Sequence, residues 1–258
     1  KYGLDKPVVE QYFSYLKGLL TGDMGPSFKY KDYTVNELVK GAFPVSAKLG
    51  CIAFILAVFF GVIIGTIAAI KQNTWFDYLI MSGSMFGIVI PSFVLAPILV
   101  LIFAIYLRWL PAGGWSGGEI QHIILPVCGL IFLYIATIAR LMRGSVIEIL
   151  HSDFIRTARA KGLPFSYIVT KHVIKPALLP VVSYLGPAFV GIITGSVVIE
   201  TIFGLPGIGQ LYVNGALNRD YSMVLGLTIL IGTLTVAFNA IVDILYAFLD
   251  PKIHFEKD

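Results

Sequence analysis

The sequence predicts an all-α, polytopic membrane protein, and three observations carry that expectation. The 258 residues are 57% hydrophobic and only 13% charged, with a mean hydropathy of +0.84, outside the range of soluble globular chains. Uncharged runs such as 49–70, 22 residues long, are sufficient to cross a bilayer. The net charge is only +4, and the basic residues gather in loops and at the ends of apolar runs. That pattern is one of membrane topology and not of nucleic-acid binding.

Taken in order, residues 1–45 read as an amphipathic segment outside the bilayer. Val8, Tyr12, Tyr15, Leu16 and Leu19 recur at helical spacing, Pro7 suits a helix start, and Gly22, Gly25 and Pro26 mark a turn. Residues 35–39 predict a second short helix. Five spans are expected after this segment, at about 49–70, 78–107, 123–147, 176–199 and 221–249. In the first, Gly61 and Gly65 form a GxxxG, which permits close helix contact or is incidental. Residues 71–77 make a tight polar connection. The second run holds 30 uncharged residues, so it must tilt or kink, and Pro91 and Pro97 supply a cause. Residues 108–122 form a loop with Trp109 and Trp115 at the interface. The third span passes Arg140 and Arg143, which can snorkel to the membrane edge. Residues 201–220 are a Gly-rich connection, and Asp250-Pro251 ends the last span.

Between the third and fourth spans lies the longest polar, basic stretch, 152–180. Ser152 can cap a short helix, with Asp153 at its positive end. Gly162 is a stop, Leu163-Pro164 resists continuation, and Pro164 can open a second helix. Phe154, Ile155, Ala158 and Gly162 fall on one side of the first helix. Arg156, Arg159 and Lys161 fall mostly elsewhere.

Candidate chemistry is mostly negative. Residues 114–118 match G-x-S-x-G, but a nucleophile elbow needs a strand before it and a helix after it, so this is read as a Gly-rich turn. There is no H-E-x-x-H, no phosphate-binding P-loop and no paired-cysteine motif. Cys51 and Cys128 are expected to be free thiols packed as small hydrophobes. His122, His151, His172 and His254 are scattered at span ends. No catalytic, metal or cofactor residues are therefore expected. Asp243 is the one acid well inside an apolar run. It is read as a structural acid near the membrane edge, with a proton relay as the alternative. Glu200, at the outer end of its span, is expected to line a pathway mouth or face water. Ile202, Phe203, Leu205, Ile208, Leu211, Tyr212 and Val213 are too apolar for a solvated loop. With Gly204, Pro206, Gly207 and Gly209 beside them, they predict a partly re-entrant gate with Glu200 at its base.

ARAKG at 158–162, followed by a helical run and PALLP at 176–180, resembles the loop of permease subunits of binding-protein-dependent ABC importers. The family's E-A-A positions fall on Arg156, Thr157 and Ala158, so the Glu is replaced by Arg, and the spacer to Pro176 is one residue longer. The R-T-A-R-A-K-G form is similar to the peptide-transporter branch. The stretch 186–221, with E-T-I-F-G-L-P-G-I-G at its core, resembles the oligopeptide members of that branch, and D-K-P, Q-Y and G-D-x-G-x-S near the start fit them too. The resemblance implies a type I permease fold in a bacterial inner membrane, with residues 46–258 as the transmembrane domain. The coupling loop, 152–175, and the C-terminus would lie inside and residues 1–45 outside. In the family a further span precedes the segment that opens this chain, so the resemblance implies a first helix before Lys1, giving six spans. Arg156, Thr157, Ala158, Arg159, Ala160, Lys161 and Gly162 would dock an ATPase subunit. The implied partners are a homologous second permease, two ATPase subunits that bind ATP and Mg, an extracytoplasmic peptide-binding protein, and membrane lipid. Dipeptide, nickel or glutathione importers are the near alternatives. An ion-coupled secondary transporter would want relay residues or an inverted repeat, and an intramembrane enzyme lacks its catalytic constellation.

Overall fold

A computed structural model describes residues 5–249 of the chain. Asp250-Pro251 and His254 lie outside the described residues. Among the described residues eleven α-helices run in order: α1 Val8–Leu20, α2 Val35–Ile70, α3 Trp75–Val89, α4 Ser92–Leu99, α5 Ile120–Leu150, α6 Asp153–Ala160, α7 Phe165–Ile168, α8 Ile174–Ala177, α9 Leu179–Phe203, α10 Ile208–Leu217 and α11 Tyr221–Leu249. Short π-helical turns, Val100–Tyr106 and Val169–Val173, follow α4 and α7. No strand occurs among the described residues; Pro26 and Thr34 make an isolated bridge.

Four helices (α2, α5, α9 and α11) are long and apolar enough to cross a membrane, and α3 with α4 makes a fifth if the bent pair counts as one span. The bend between them is 106°. It falls at Ile90-Pro91, where Pro removes a backbone donor and forces the preceding residue to an extended ψ of 114°. Pro97 lies inside α4, three residues before the π turn begins at Val100.

The expected short helix at 35–39 is instead the start of α2, which runs through Pro44 for 36 residues. A boundary at residue 45 therefore falls inside a helix. Two features sustain the extension. Thr34 and Glu37 form a reciprocal capping box, the Glu37 N–H donating to Thr34 Oγ1 at 3.3 Å and the Thr34 N–H to Glu37 Oε2 at 2.8 Å. Val35, Val39 and Ala42 then bury against Ile208, Met223 and Leu227, which holds the helix across the proline. α1 forms as the periodicity predicts but buries no residue.

The main core joins α2, α5 and α9 and extends to Ile155 and Ile168 beyond the bundle. α2 and α5 share the most extensive contact, and there the GxxxG is decided. A Cβ on Gly61 would lie 2.7 Å from Ile138 Cβ, and one on Gly65 2.8 Å from Met142 Cβ and onto the Ala139 carbonyl. The glycines are the surface on which α5 rests. Cys128 is half-buried as expected, but Cys51 is exposed on the outer face of α2.

Gly61→Val should cost about 1–3 kcal/mol through overpacking. It should lower the thermal unfolding midpoint of the purified protein. Gly41→Ala, on the same helix with no heavy atom within 4 Å of the added Cβ, should not.

Candidate functional site

Two regions carry the sequence-predicted sites, at opposite ends of α9. At the first, α6 ends where Gly162 takes a left-handed φ of +74°, and the chain reverses into α7. Ile155 is fully buried and Ala158 nearly so, in the same hydrophobic cluster as Val146 and Val173. Arg156, Thr157, Arg159, Ala160, Lys161 and Gly162 are all exposed. α6 thus has one face fixed to the span bundle and one basic face open. Three expectations fail here. Ser152 makes no cap; its hydroxyl donates backward to the Ile149 carbonyl at 2.6 Å. Phe154 is 53% exposed, off the buried side. Pro164 is the residue before α7, one position earlier than expected, with an extended ψ of 143°. The Arg159 guanidinium lies 5.9 Å from the Phe165 ring, a cation–π contact across the turn.

At the other end of α9, the structure buries Glu200 completely, so it neither faces water nor lines a mouth. The Ser46 hydroxyl of α2 donates to Oε1 at 2.6 Å, and the Gly209 N–H donates to Oε2 at 2.7 Å. Ser46 Oγ in turn accepts from the Ile208 N–H at 2.9 Å. These two N–H groups belong to the first turn of α10, so the carboxylate caps a helix whose own boundary residue, Gly207, has no side chain to offer. The glycines follow from that approach. A Cβ on Gly207 would lie 2.5 Å from the Glu200 carboxyl carbon and from Ser46 Oγ, and one on Gly209 2.5 Å from Val197 Cα. Gly204 ends α9 in the left-handed region, φ +63°. Pro206 is exposed. The predicted connection is therefore a tight turn and a ten-residue helix folded back on α9 and α2. Phe203, Leu205 and Ile208 are buried in it, whereas Ile202 stays 37% exposed.

Two further acids escaped the sequence reading. Asp77, 1% exposed, accepts a bidentate pair from Arg143, with Nε and Nη2 each at 2.6 Å, and the Asn73 N–H at 3.0 Å. Arg143 thus ties α5 to α3 in place of snorkelling; Arg140 does remain exposed. Asp220, fully buried before α11, accepts from the Ser27 hydroxyl, the Phe28 and Lys29 N–H groups at 3.0 and 3.1 Å, and the Met223 N–H at 3.1 Å. It joins residues 27–29 to the last helix. An Asp directly before a helix is a common cap residue, but its partners nearly two hundred residues away leave no signal in the sequence.

The G-x-S-x-G stretch holds no elbow. Gly114, Ser116, Gly117 and Gly118 all have positive φ, and the Gly114 N–H donates to the Phe203 carbonyl at 2.7 Å. It is a turn laid on the end of α9. Among the described residues no group of His, Cys, Asp and Glu is placed to hold a metal.

A scan of family descriptions matches residues 61–255 to the inner membrane component of binding-protein-dependent transport systems. The chain belongs to this family. It is 66% identical over 255 residues to the oligopeptide transport system permease protein OppB of Haemophilus influenzae, covering 99% of this chain and 83% of that protein. It is 68% identical to OppB of Escherichia coli K12 with the same coverage, and 42% identical to the dipeptide permease DppB of Bacillus subtilis, covering 99% and 82%. Among solved structures, the inward-facing MetNI methionine ABC transporter matches with a TM-score of 0.69 at 15% identity, covering 83% of this chain and 96% of that one. An amino acid ABC transporter matches with a TM-score of 0.58 at 17% identity, covering 82% and 94%. The fold is that of ABC importer permeases, and the protein is an inner-membrane permease with several apolar helices. The motifs that carried the sequence resemblance, 156–162 and 200–209, are the two regions built above.

Asp220 generates a prediction of its own. Burial acts to raise its pKa, but the hydrogen bonds from Ser27, Phe28, Lys29 and Met223 together outweigh that and hold it below the usual carboxylate range. A depressed folded value means that its stabilisation is present above the ordinary range, about 3.9, and is lost only as pH falls through the lower folded value. Asp220→Ala should cost about 1–3 kcal/mol locally. It should speed hydrogen exchange at the Phe28 and Lys29 amides at neutral pH, while exchange at Ile138 in α5 stays slow.

Proposed function

We propose that this chain is a pore-forming permease subunit of an ATP-driven oligopeptide importer, and that it performs no catalysis itself. The observation that carries the reading is 66–68% identity over 99% of the chain to relatives named oligopeptide permeases, against 42% to a dipeptide permease. In this reading a homologous second permease completes the pore. Two ATPase subunits bind ATP and Mg and close together, and an extracytoplasmic binding protein delivers peptide. Residues 152–175 lie inside and residues 1–45 outside.

Arg156, Thr157, Ala158, Arg159, Ala160, Lys161 and Gly162 form the coupling element. The exposed basic face of α6 is what an ATPase groove would grip. The buried Ile155 and Ala158 are what pass its motion to the spans, because they pack in the same cluster as α5 and α9. A rigid-body shift of α6 must then move the bundle between two arrangements. At the outer end, Glu200, Gly204, Pro206, Gly207 and Gly209 form a gate element. Glu200 fastens α10 to α9 and α2, and the glycines set how closely it closes.

Gly162→Val meets no atom within 4 Å, so its penalty is the left-handed backbone alone, roughly 1–2 kcal/mol. Together with Arg159→Glu, which reverses a docking charge, it should abolish peptide uptake by proteoliposomes of the assembled transporter while the chain stays in the membrane. Normal uptake in both variants would reject the coupling assignment.

Replacing Gly207-Ile208-Gly209 by three alanines places methyl groups on the Glu200 carboxylate and the Val197 backbone. Assembly with the ATPases should persist. The rise in ATP hydrolysis caused by peptide-loaded binding protein should fall several-fold in the reconstituted complex. Unchanged stimulation would make the segment a connector only.

A further inference from the structure

The acids in apolar surroundings of this chain fall into two groups. Asp77, Glu200 and Asp220 are each satisfied by partners within the chain. Asp243 is not. Among the described residues its side chain has neither hydrogen bond nor ion pair, although it is exposed on α11 between the apolar Ile241, Ile244, Leu245 and Phe248, themselves 45–79% exposed. It stands six residues before Leu249, about 9 Å along the helix axis. An unpaired carboxylate in such a surface is expensive and marks a water-filled path or a missing cation.

Asp243 lines a notch of about 280 Å³ between α9 and α11, with Ser183, Gly186, Pro187, Asn239, Val242 and Tyr246. Its chemistry is rich in acceptors. Pro187 lies inside α9 and has no N–H to give, so the Ser183 carbonyl, four residues earlier, loses its helical donor. The Asn239 amide has no intramolecular hydrogen bond among the described residues, and its Oδ1 occupies the space where a Cβ on Gly186 would sit. The Ser183 hydroxyl already donates to the Leu179 carbonyl at 3.1 Å, which leaves it only lone pairs to offer. A carboxylate, an amide oxygen, a freed carbonyl and a hydroxyl together describe a site for a compact cation with several N–H donors. A primary ammonium has three.

We propose that this notch is a cation subsite of the transport path, in which Asp243, Asn239 and the Ser183 carbonyl hold the amino-terminal ammonium of a passing peptide. The inference rests on the peptide-importer reading. The α-ammonium is common to every unmodified peptide whatever its side chains. A transporter of varied peptides can therefore hold that group without selecting sequence, and the volume suits a chain end and not a whole oligopeptide. The competing occupant, a Lys or Arg of the second permease, would use the same acceptors.

The test uses the assembled complex without the binding protein, so that its selection is absent, and isothermal titration with trialanine and N-acetyl-trialanine. The wild-type complex should bind trialanine at least tenfold more tightly than the acetylated peptide. Asp243→Asn should lose that tenfold preference with the acetylated peptide unaffected, and Asp243→Glu should keep part of it. Equal binding of the two peptides by the wild type, no detectable trialanine binding, or an unchanged preference in Asp243→Asn would each overturn the proposal. So would loss of the second permease on purification of Asp243→Asn, which would assign the carboxylate to a subunit contact. Trialanine uptake by wild-type proteoliposomes with ATP and binding protein separates the two readings. Uptake with an unchanged preference in the variant sinks only the subsite, whereas no uptake sinks the peptide-importer reading itself.

Discussion

Gly61 and Gly65 let α2 lie on α5 at a separation that a Cβ would forbid, with Ile138, Ala139 and Met142 pressed against bare backbone. In lipid there is little hydrophobic gain from bringing two apolar helices together, so close van der Waals packing has to supply the association. The other elements are placed by this pair. α5 presents Gly129 to Ala96 and Ile199, and its Phe132 and Ala136 meet Gly87 of α3. α3, α4, α8 and α9 all pack on it. The same helix continues to Leu150 and leads straight into α6.

Around that apolar centre, three buried carboxylates join segments that apolar packing alone would leave loosely registered. Asp77 holds α3 to α5 through Arg143. Glu200 holds α10 to α9 and α2 through Ser46 and two backbone N–H groups, and Asp220 holds the 27–29 backbone to α11. A buried charge is tolerated only when its hydrogen-bonding capacity is filled. Each of these acids therefore fixes geometry sharply, because displacement would strand it. Asp243, exposed on α11 and without a partner among the described residues, stands in contrast to these three.

Short helices stand near the two ends of α9 and are anchored differently. At one end a short amphipathic helix is anchored by Ile155 and Ala158 and shows a basic face. At the other a short helix is anchored by a carboxylate at its N-terminus. α6 follows α5 directly in the chain and packs on α7, whereas α10 packs on α9, α11 and α2.

Much of this was legible in the sequence because its cause is local. Apolar run length sets the spans, Pro91 forces the break, and Gly162 and Gly204 sit where the backbone turns left-handed. The motifs of 156–162 and 200–209 carried the family. The sequence could not say whether the GxxxG was used, that α2 runs through Pro44, or that Ser152 leaves its helix uncapped. Nor could it say that Glu200, Asp220 and Arg143 are tied inward and not turned to water. Those outcomes depend on partners up to 193 residues away. Hydrogen-bonding capacity is written in each residue type, but what fills it depends on which segments the packed bundle brings within about 3 Å.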